Sequence, residues 1–233
     1  MEELTNKDRA NYVRHMFAHL ARHYDLANRW MTWGQDVKWR REVIDRARLP
    51  IGGRLLDIGA GTGDLALEAI HREKQILPIG TDFTLEMMYV GRNRRDGNHI
   101  RWVNADALDL PFNSDTFDSV VSGYLLRNVV DVGKALAEQY RVLKPGGFMV
   151  CLDTTPPPKN FIHLPVRLYL RLVIPFIGGL VARDIQTYRY LPESTCNFLQ
   201  ASELAECMCK VGFRETGFRK FMGGSMAIHW GAK

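Results

Sequence analysis

The sequence predicts an α/β protein in which helices pack on both faces of a mostly parallel sheet. Residues 54–58 are apolar and β-prone enough to form a buried parallel strand. Glycines at positions 59, 61 and 63 cannot continue that strand, and residues 65–70 then have the composition of a helix. A strand, a glycine turn and a helix form the first unit of a doubly wound α/β domain, which binds its ligand at the carboxyl end of the first strand.

The glycine turn also indicates which kind of ligand is bound. Dinucleotide folds use Gly-x-Gly-x-x-Gly and direct a helix N-terminus at a pyrophosphate. Here the pattern is Asp57-x-Gly59-x-Gly61-x-Gly63, and a carboxylate beside the turn suits a cationic ligand better than a phosphate. S-adenosylmethionine carries a sulfonium and an α-ammonium, so we predict it as the cofactor and disfavour a nicotinamide oxidoreductase. A tight strand–helix junction without a ligand is the alternative interpretation.

Length and composition limit the remaining options. A chain of 233 residues, with 46% hydrophobic and 24% charged residues, is enough for one α/β domain with a sizeable core. The net charge of +5 is too small and too dispersed to argue for nucleic acid. It could favour an anionic membrane or an acidic ligand, but a solvated surface with a slight excess of basic residues is the favoured interpretation. The four cysteines lack a Cys-x-x-Cys pair, and no apolar run could span a bilayer. We therefore expect a cytoplasmic protein with no secretory leader, reduced thiols and no metal site.

The second predicted strand, residues 76–81, ends in an acidic residue. Asp82 and Phe83 follow this strand, about 20 positions after the glycines, where a carboxylate can accept hydrogen bonds from two ribose hydroxyls. Asp82 could instead cap the helix predicted over residues 85–95, although Thr84 could also do so. The spacing favours the ribose role.

The third predicted strand, residues 100–104, is also followed by a carboxylate. Asp106 could accept a hydrogen bond from an adenine amine, and the backbone N–H of Ala107 could meet a ring nitrogen. Together with Asp82, these positions would complete a nucleoside site along one edge of the sheet.

Strand four, residues 117–122, leads into a turn that carries a cation and an amide. Arg127 and Asn128 lie in this otherwise apolar turn, where open parallel sheets place their ligands. Arg127 could stabilise a developing phenolate, and Asn128 could orient the same oxygen or a water. The alternative is that Arg127 pairs structurally with a nearby carboxylate.

The predicted elements divide a single domain into four parts. Residues 1–50 form an N-terminal helical cap, in which residues 8–48 are rich in helix formers. Residues 51–155 form the cofactor-binding core and alternate between strands and helices, with strand five at 148–153. Residues 156–200 form an apolar insertion on the substrate side, and residues 201–233 contain a helix and a hairpin that completes the sheet.

Two regions outside the core are candidates for the acceptor side. Tyr24 belongs to an aromatic stripe that either packs internally or forms a helical lid. Residues 164–181 are apolar with interspersed arginines, so they either meet lipid or a greasy substrate, or form a buried helical pair. Tyr188 and Arg189, like Tyr24, either close over the acceptor or pack.

At the level of motifs, the chain resembles class I S-adenosylmethionine-dependent methyltransferases, and more narrowly the ubiquinone/menaquinone biosynthesis C-methyltransferase family. The class-level motifs are the glycine turn, Asp82, Asp106-Ala107, Arg127-Asn128-Val129 and Arg141-Val-Leu-Lys-Pro-Gly-Gly147. The more selective motifs are Tyr24-Asp25 with Asn28 and Trp39, Leu126-Arg-Asn-Val129, residues 188–194 and the ending Gly223-Gly-Ser-Met-Ala-Ile-His229.

This resemblance implies a Rossmann-like fold with a seven-stranded sheet, an antiparallel last strand and an N-terminal helical cap. It implies methyl transfer to a ring carbon of a polyprenylated quinol. Peripheral contact with the inner membrane face and formation of a homodimer are further possibilities that the resemblance does not decide. The cofactor shell that it implies consists of Asp57, Gly59, Gly61, Thr62, Asp82, Phe83, Asp106, Ala107 and Gly123.

The chain departs from the family pattern near the presumed substrate side. The departures are Ala27 for Met, Thr32 for Ser, Asp36 for His, Asp153 for Glu, Thr155 for Ser, and Gly123 for a cofactor-shell serine. Two other hypotheses for the function therefore remain. The protein could be a methyltransferase for another apolar small molecule, or a non-catalytic cofactor-binding subunit of a membrane complex.

Overall fold

The computed structural model describes residues 6–156, 168–182 and 194–233. The strands are β1 Arg54–Ile58, β2 Leu77–Asp82, β3 Arg101–Asn104, β4 Phe117–Gly123, β5 Leu143–Thr154, β6 Arg214–Phe221 and β7 Met226–Ala232. The helices are α1 Asn6–Leu20, α2 Tyr24–Met31, α3 Gln35–Arg46, α4 Asp64–Arg72, α5 Leu85–Arg92, α6 Val132–Val142, α7 Ile174–Ala182 and α8 Ala201–Val211. A π-helical turn, Tyr169–Val173, leads into α7.

In these residues seven strands form one sheet in the order β3-β2-β1-β4-β5-β7-β6. The strands β1 to β5 pair in parallel, whereas β7 lies antiparallel between β5 and β6. The hairpin of β6 and β7 turns at Gly223 and Gly224, whose φ angles of 61° and 89° favour glycine. The predicted α/β fold, with its parallel core and antiparallel last strand, is confirmed.

The alternation of side chains along the strands builds a core on each face of the sheet. On one face, Leu55 and Val121 pack with residues of α3 and α4 such as Val43 and Ala66. On the other face, strand residues including Leu56 pack against α6 and α8. Near-continuous apolar strands buried on both sides are typical of parallel sheets, which explains why the sequence pattern predicted them.

The N-terminal helices form the predicted cap. Met16 of α1 and Ala27 and Met31 of α2 make a third apolar cluster with Ile177 of α7. Phe17 packs against this cluster and contacts the ring of Tyr24 edge-on, with 5.6 Å between ring centroids. Of the predicted 156–200 insertion, only residues 156, 168–182 and 194–200 are described.

The main difference from the predicted elements is the start of β5. The sequence predicted strand five from residue 148, whereas α6 ends at Val142 and β5 begins at the next residue. Leu143 is fully buried and pairs with Phe117 at the start of β4, so packing draws the chain into the sheet at once. The register then shifts before Ser119, which accommodates the Lys-Pro-Gly-Gly segment as an irregular strand start.

Candidate active site

One pocket lies at the carboxyl ends of β1, β2 and β4 and is closed from above by α1 and the start of α2. Ala10, Val13 and Phe17 provide apolar contacts from α1. The structure brings these predicted site residues together on its wall: Tyr24, Asp57, Gly59, Gly61, Thr62, Asp82, Phe83, Asp106, Ala107, Gly123 and Asn128. Tyr188 and Arg189 lie outside the described residues.

The glycine turn allows the backbone to approach a ligand closely. Gly59 and Gly61 have φ angles of +65° and +56°, a region that other residues rarely adopt. A Cβ atom on Gly59 would also lie 2.9 Å from the side chain of Leu125, and one on Gly61 would lie 3.1 Å from Met87. Conformation therefore favours glycine at both positions, and at Gly59 the space beside Leu125 does so as well.

Asp57 places a buried carboxyl group beside this turn. Its side chain is buried, and Oδ2 accepts a 3.1 Å hydrogen bond from the backbone N–H of Ala66. Burial raises the pKa of Asp57 to about 7, while the Ala66 hydrogen bond lowers it and the nearby charge of Asp82 raises it. Oδ1 has no hydrogen-bond partner among the described residues. A buried, orphaned carboxylate oxygen on the pocket wall fits the α-ammonium of S-adenosylmethionine.

Asp82 braces the glycine turn as well as facing the pocket. Its Oδ2 accepts a hydrogen bond from Gly61 N at 2.7 Å, and its Oδ1 accepts one from Thr84 N at 2.7 Å. Burial raises the pKa of Asp82, and these two N–H groups lower it. Thr84 is the N-cap residue of α5 and makes no side-chain capping bond, and Asp82 accepts from Thr84 itself rather than from an N–H inside the helix, so the capping role considered for Asp82 is not observed.

The outer wall carries the remaining predicted cofactor residues. Asp106 is exposed, and its Oδ1 accepts the Leu108 N–H at 2.9 Å, which shapes the turn around Ala107. Arg14 of α1 places its guanidinium 5.7 Å from the centre of the Phe83 ring. The cap therefore reaches across the pocket to the end of β2.

A charged network, which the sequence analysis missed, ties the cap to the glycine turn. Asp25 of α2 accepts a 2.7 Å hydrogen bond from the Thr62 hydroxyl and pairs with Arg94 at 3.1 Å. The same Arg94 nitrogen pairs with Asp64 at 2.6 Å and donates to the Thr62 carbonyl at 3.1 Å. Arg40 of α3 pairs with the other oxygen of Asp64. The sequence pointed to Asp25 only through its place beside Tyr24 in a family motif, and no sequence pattern pointed to Arg94.

Arg127 lies behind the pocket rather than on its wall. It is buried, with Nη1 3.8 Å from Asp153 Oδ1, and its backbone N–H donates to Asp153 Oδ2 at 3.2 Å. Its guanidinium lies 5.1 Å from the centre of the Tyr124 ring, and its Nε has no hydrogen-bond partner among the described residues. The ion pair with a carboxylate, which the sequence analysis gave as the alternative for Arg127, is thus present as the Arg127–Asp153 pair. The Nε atom of Arg127 takes no part in a hydrogen bond with the described residues.

Tyr24 and Tyr124 border the pocket close to this arginine. Burial raises the pKa of Tyr24, and the positive charge of Arg127 partly lowers it. Burial also raises the pKa of Tyr124, which keeps its hydroxyl protonated. Tyr124 has a φ of 58°, uncommon for an aromatic residue and often associated with functional sites. No pattern in the sequence pointed to Tyr124.

Comparison with known proteins identifies the class. The structure aligns over 94% of its length with all of a Thermotoga maritima methyltransferase described as a possible histamine N-methyltransferase, at a TM-score of 0.63 and 21% identity. It covers 56% of a Haemonchus contortus phosphoethanolamine N-methyltransferase in complex with S-adenosyl-L-methionine, with 89% of this chain aligned, a TM-score of 0.63 and 16% identity. At these identities the likeness concerns the fold, and that fold belongs to the class I S-adenosylmethionine-dependent methyltransferases.

Sequence comparison is more specific. A profile of the ubiE/COQ5 methyltransferase family matches residues 4–233, and the chain belongs to this family. It is 46% identical to a ubiquinone/menaquinone biosynthesis C-methyltransferase from Desulfotalea psychrophila, over 95% of this chain and 90% of the relative. It is 41% identical to a demethylmenaquinone methyltransferase from Thermus thermophilus, over 93% and 99% of the two chains. The predicted family, enzyme class and cofactor are therefore confirmed.

From the raised pKa of Asp57 we expect the affinity for S-adenosylmethionine to depend on pH. Below pH 7 the carboxyl is mostly neutral in the free protein and must lose its proton to hold an ammonium. The dissociation constant for S-adenosylmethionine should therefore be about eightfold higher near pH 6 than near pH 7.5, as measured by calorimetry. Asp57→Asn should bind weakly and lose this pH dependence, whereas Asp45→Asn, on the outer face of α3, should retain it. A flat profile for the unmodified protein would contradict the role of Asp57.

The charged network should support cofactor binding through the glycine turn. Arg94→Gln removes the shared donor of Asp25, Asp64 and Thr62, so the affinity for S-adenosylmethionine should fall by about fivefold. Arg95→Gln is the matched control, because that neighbouring side chain is 97% exposed. Equal affinities of the two variants in the same calorimetric titration would show that the network does not act on the turn.

Proposed function

We propose that this methyltransferase transfers a methyl group to a ring carbon of a polyprenylated quinol. Family membership gives the coarser activity, S-adenosylmethionine-dependent C-methylation in quinone biosynthesis. The observation that supports the finer statement is the divided character of the pocket. Its glycine-turn side carries Asp57 and Asp82, whereas the side under the cap is lined by apolar residues such as Val13, Phe17 and Val129.

The reaction places clear demands on the protein. When bound, S-adenosylmethionine supplies an electrophilic methyl group. Ionisation of a phenol next to the acceptor carbon makes that carbon nucleophilic, so the acceptor must be a quinol rather than an oxidised quinone. The residues of the chain must then align the two partners, exclude water and stabilise the phenolate.

Arg127 and Asn128 are the proposed catalytic residues. The guanidinium of Arg127 would stabilise the phenolate, directly or through an ordered water that takes the proton. Its buried Nε, which lacks a hydrogen-bond partner among the described residues, supports this role. Asn128 lines the pocket and donates to the carbonyl of Tyr124 at 2.7 Å, which fixes its amide in position to orient the acceptor oxygen.

We further propose that Tyr24 closes over the quinol headgroup from the cap, with Tyr188 and Arg189 as additional candidates from the sequence. The Tyr24 ring borders the pocket and is held by Phe17. The nine cofactor-shell positions named from the resemblance are proposed to hold S-adenosylmethionine, with Asp57 on the ammonium, Asp82 on the ribose and Asp106 with Ala107 at the adenine.

A methyltransferase acting on another apolar small molecule is the second candidate. The observation that favours it is that Gly123 lines the pocket where the family pattern has a serine. A non-catalytic cofactor-binding subunit is the third, and the retained Arg127-Asn128 pair argues against it.

The substrate is tested by methyl transfer from labelled S-adenosylmethionine to a short-tailed demethylmenaquinol and to a demethylated ubiquinol precursor. Each acceptor is offered both reduced and oxidised, and the product mass and label position are read out. We expect label on a ring carbon in the reduced samples only, and the preferred acceptor identifies the ring. Absence of transfer to either quinol, with the cofactor still bound, would favour another acceptor or a non-catalytic role.

Arg127→Ala should lower kcat by about 100-fold while changing the affinity for S-adenosylmethionine far less, because the lost charge acts on the phenolate. Arg127→Lys keeps a positive charge and should recover part of the activity, and Arg92→Ala on the exposed side of α5 serves as the control. Melting curves establish that each variant is folded. Equal losses of turnover and of cofactor affinity in Arg127→Ala would contradict the proposed role.

We also propose that the protein contacts the membrane peripherally, because a polyprenyl tail keeps the acceptor in the bilayer. None of the helices in the described parts of the chain is long and apolar enough to cross a membrane. A homodimer stays a prediction.

A further inference from the structure

Two helices of the cap expose large apolar side chains in regular stripes. On α2 and its following turn, Leu26, Trp30 and Trp33 recur at intervals of four and three residues, and Trp33 is 75% exposed. Along the π-helical turn and α7, the exposed residues recur every four positions and are Leu168, Leu172 and Phe176, the last 71% exposed. We call these six residues the apolar face. Exposed apolar residues of this size are unusual when they are grouped rather than scattered.

The two stripes belong to one surface. The hydroxyl of Tyr169 donates a 2.6 Å hydrogen bond to the carbonyl of Met31 at the end of α2. Val173 and Ile177 pack against the cap on the inner side of this helix. The inner side of the helical segment is thus occupied by the protein itself, and its outer side presents the leucines and phenylalanine to solvent.

Trp33 is held outward by its backbone. Its φ of 54° is uncommon for a bulky aromatic residue, and Gly34 follows with a φ of 73°. This left-handed pair ends α2 and starts α3, and Gly34 N donates to the Arg29 carbonyl at 2.8 Å. A tryptophan kept exposed in an unfavourable conformation indicates that the exposed position has a use.

The charges around the apolar face are mainly positive. Arg22, Arg29, Lys38 and Arg41 are exposed on or next to α2 and α3. The acidic residues between positions 22 and 41 are Asp25, which pairs with Arg94, and Asp36, which pairs with Arg40 and Arg29. Arg41 also pairs with Glu68 at 3.6 Å, so the excess positive charge at this rim comes mainly from Arg22 and Lys38. Exposed aromatic and aliphatic side chains with a basic rim match the boundary between anionic headgroups and acyl chains.

From these observations we infer that the apolar face docks on an anionic lipid bilayer and delivers the mouth of the pocket to an acceptor dissolved there. This inference rests on the proposed function for its purpose, because only a membrane-bound acceptor requires the enzyme to come to the lipid. Phe17 joins the two sites, since it lines the pocket and packs on the cluster that carries α7. The basic rim favours a bilayer over a second copy of the chain, because two such faces would repel each other.

The test uses the full chain with vesicles of phosphatidylglycerol and phosphatidylethanolamine. Binding is measured by co-sedimentation and by quenching of tryptophan fluorescence with brominated lipids. The variants are Trp30→Ser with Trp33→Ser, and Leu172→Ser with Phe176→Ser. The matched control is Ile51→Ser with Leu77→Ser, because both residues are exposed near the amino ends of β1 and β2, away from the pocket.

Each double variant of the apolar face should partition into vesicles about tenfold more weakly than the unmodified protein, whereas the control should not change. Binding should weaken with added salt and with uncharged lipid. Turnover of a short-tailed acceptor in solution should be equal in all variants, and turnover of a long-tailed acceptor in vesicles should fall with binding.

Unchanged vesicle binding by both apolar-face variants would overturn the inference. So would a dimer in solution, seen by light scattering, that the same substitutions dissociate, because the face would then bind a second copy. Failure of the proposed function has a different signature: no transfer to the short-tailed quinol, with vesicle binding still sensitive to the apolar face.

Discussion

The pocket depends on two carboxylates near the ends of neighbouring strands. Asp57 is buried and Asp82 is partly buried, and the hydration that they lose is costly unless hydrogen bonds replace it. Backbone N–H groups of Ala66, Gly61 and Thr84 provide part of the replacement, and these groups can point inward because the intervening chain turns at glycines. The remaining unpaired oxygen of Asp57 is therefore a consequence of the fold that only a bound cation or donor can satisfy.

Further carboxylates between the glycine turn and the cap are also paired with cations or hydrogen-bond donors. Asp64, at the start of α4, is paired with Arg40 from α3 and Arg94 from the end of α5. Asp25 joins this set from α2 and holds the hydroxyl of Thr62 in the glycine turn. The glycine turn and the cap are thus joined by a shared set of ion pairs and hydrogen bonds.

Much of the fold was predictable because its signals are local. The apolar strands, the glycine turn and the position of Asp82 follow from short patterns. In the structure the strands form the sheet, and the glycine turn and Asp82 lie together at the pocket. The early start of β5 was missed because burial of Leu143 outweighs the strand-breaking Lys-Pro-Gly-Gly that follows it. Arg94 and Tyr124 were missed because their roles arise only when distant segments meet.

Arg127 illustrates what local patterns leave undecided. Its neighbours in sequence predicted either a role at the acceptor or a structural ion pair, and the structure contains the pair with Asp153. Which role dominates depends on how tightly that pair holds the guanidinium, and no spacing rule encodes such a distance.

The departures from the family pattern act mostly from behind the pocket wall. Asp36 pairs with Arg40, a wall residue, and Asp153 pairs with Arg127, whereas neither carboxylate lines the pocket itself. The 3.8 Å separation between Arg127 and Asp153 exceeds the length of a direct hydrogen bond. A glutamate, one methylene longer, could occupy more of the guanidinium. The aspartate found here therefore leaves Nε of Arg127 without a hydrogen-bond partner among the described residues, which is compatible with the proposed role of this guanidinium toward a transient phenolate.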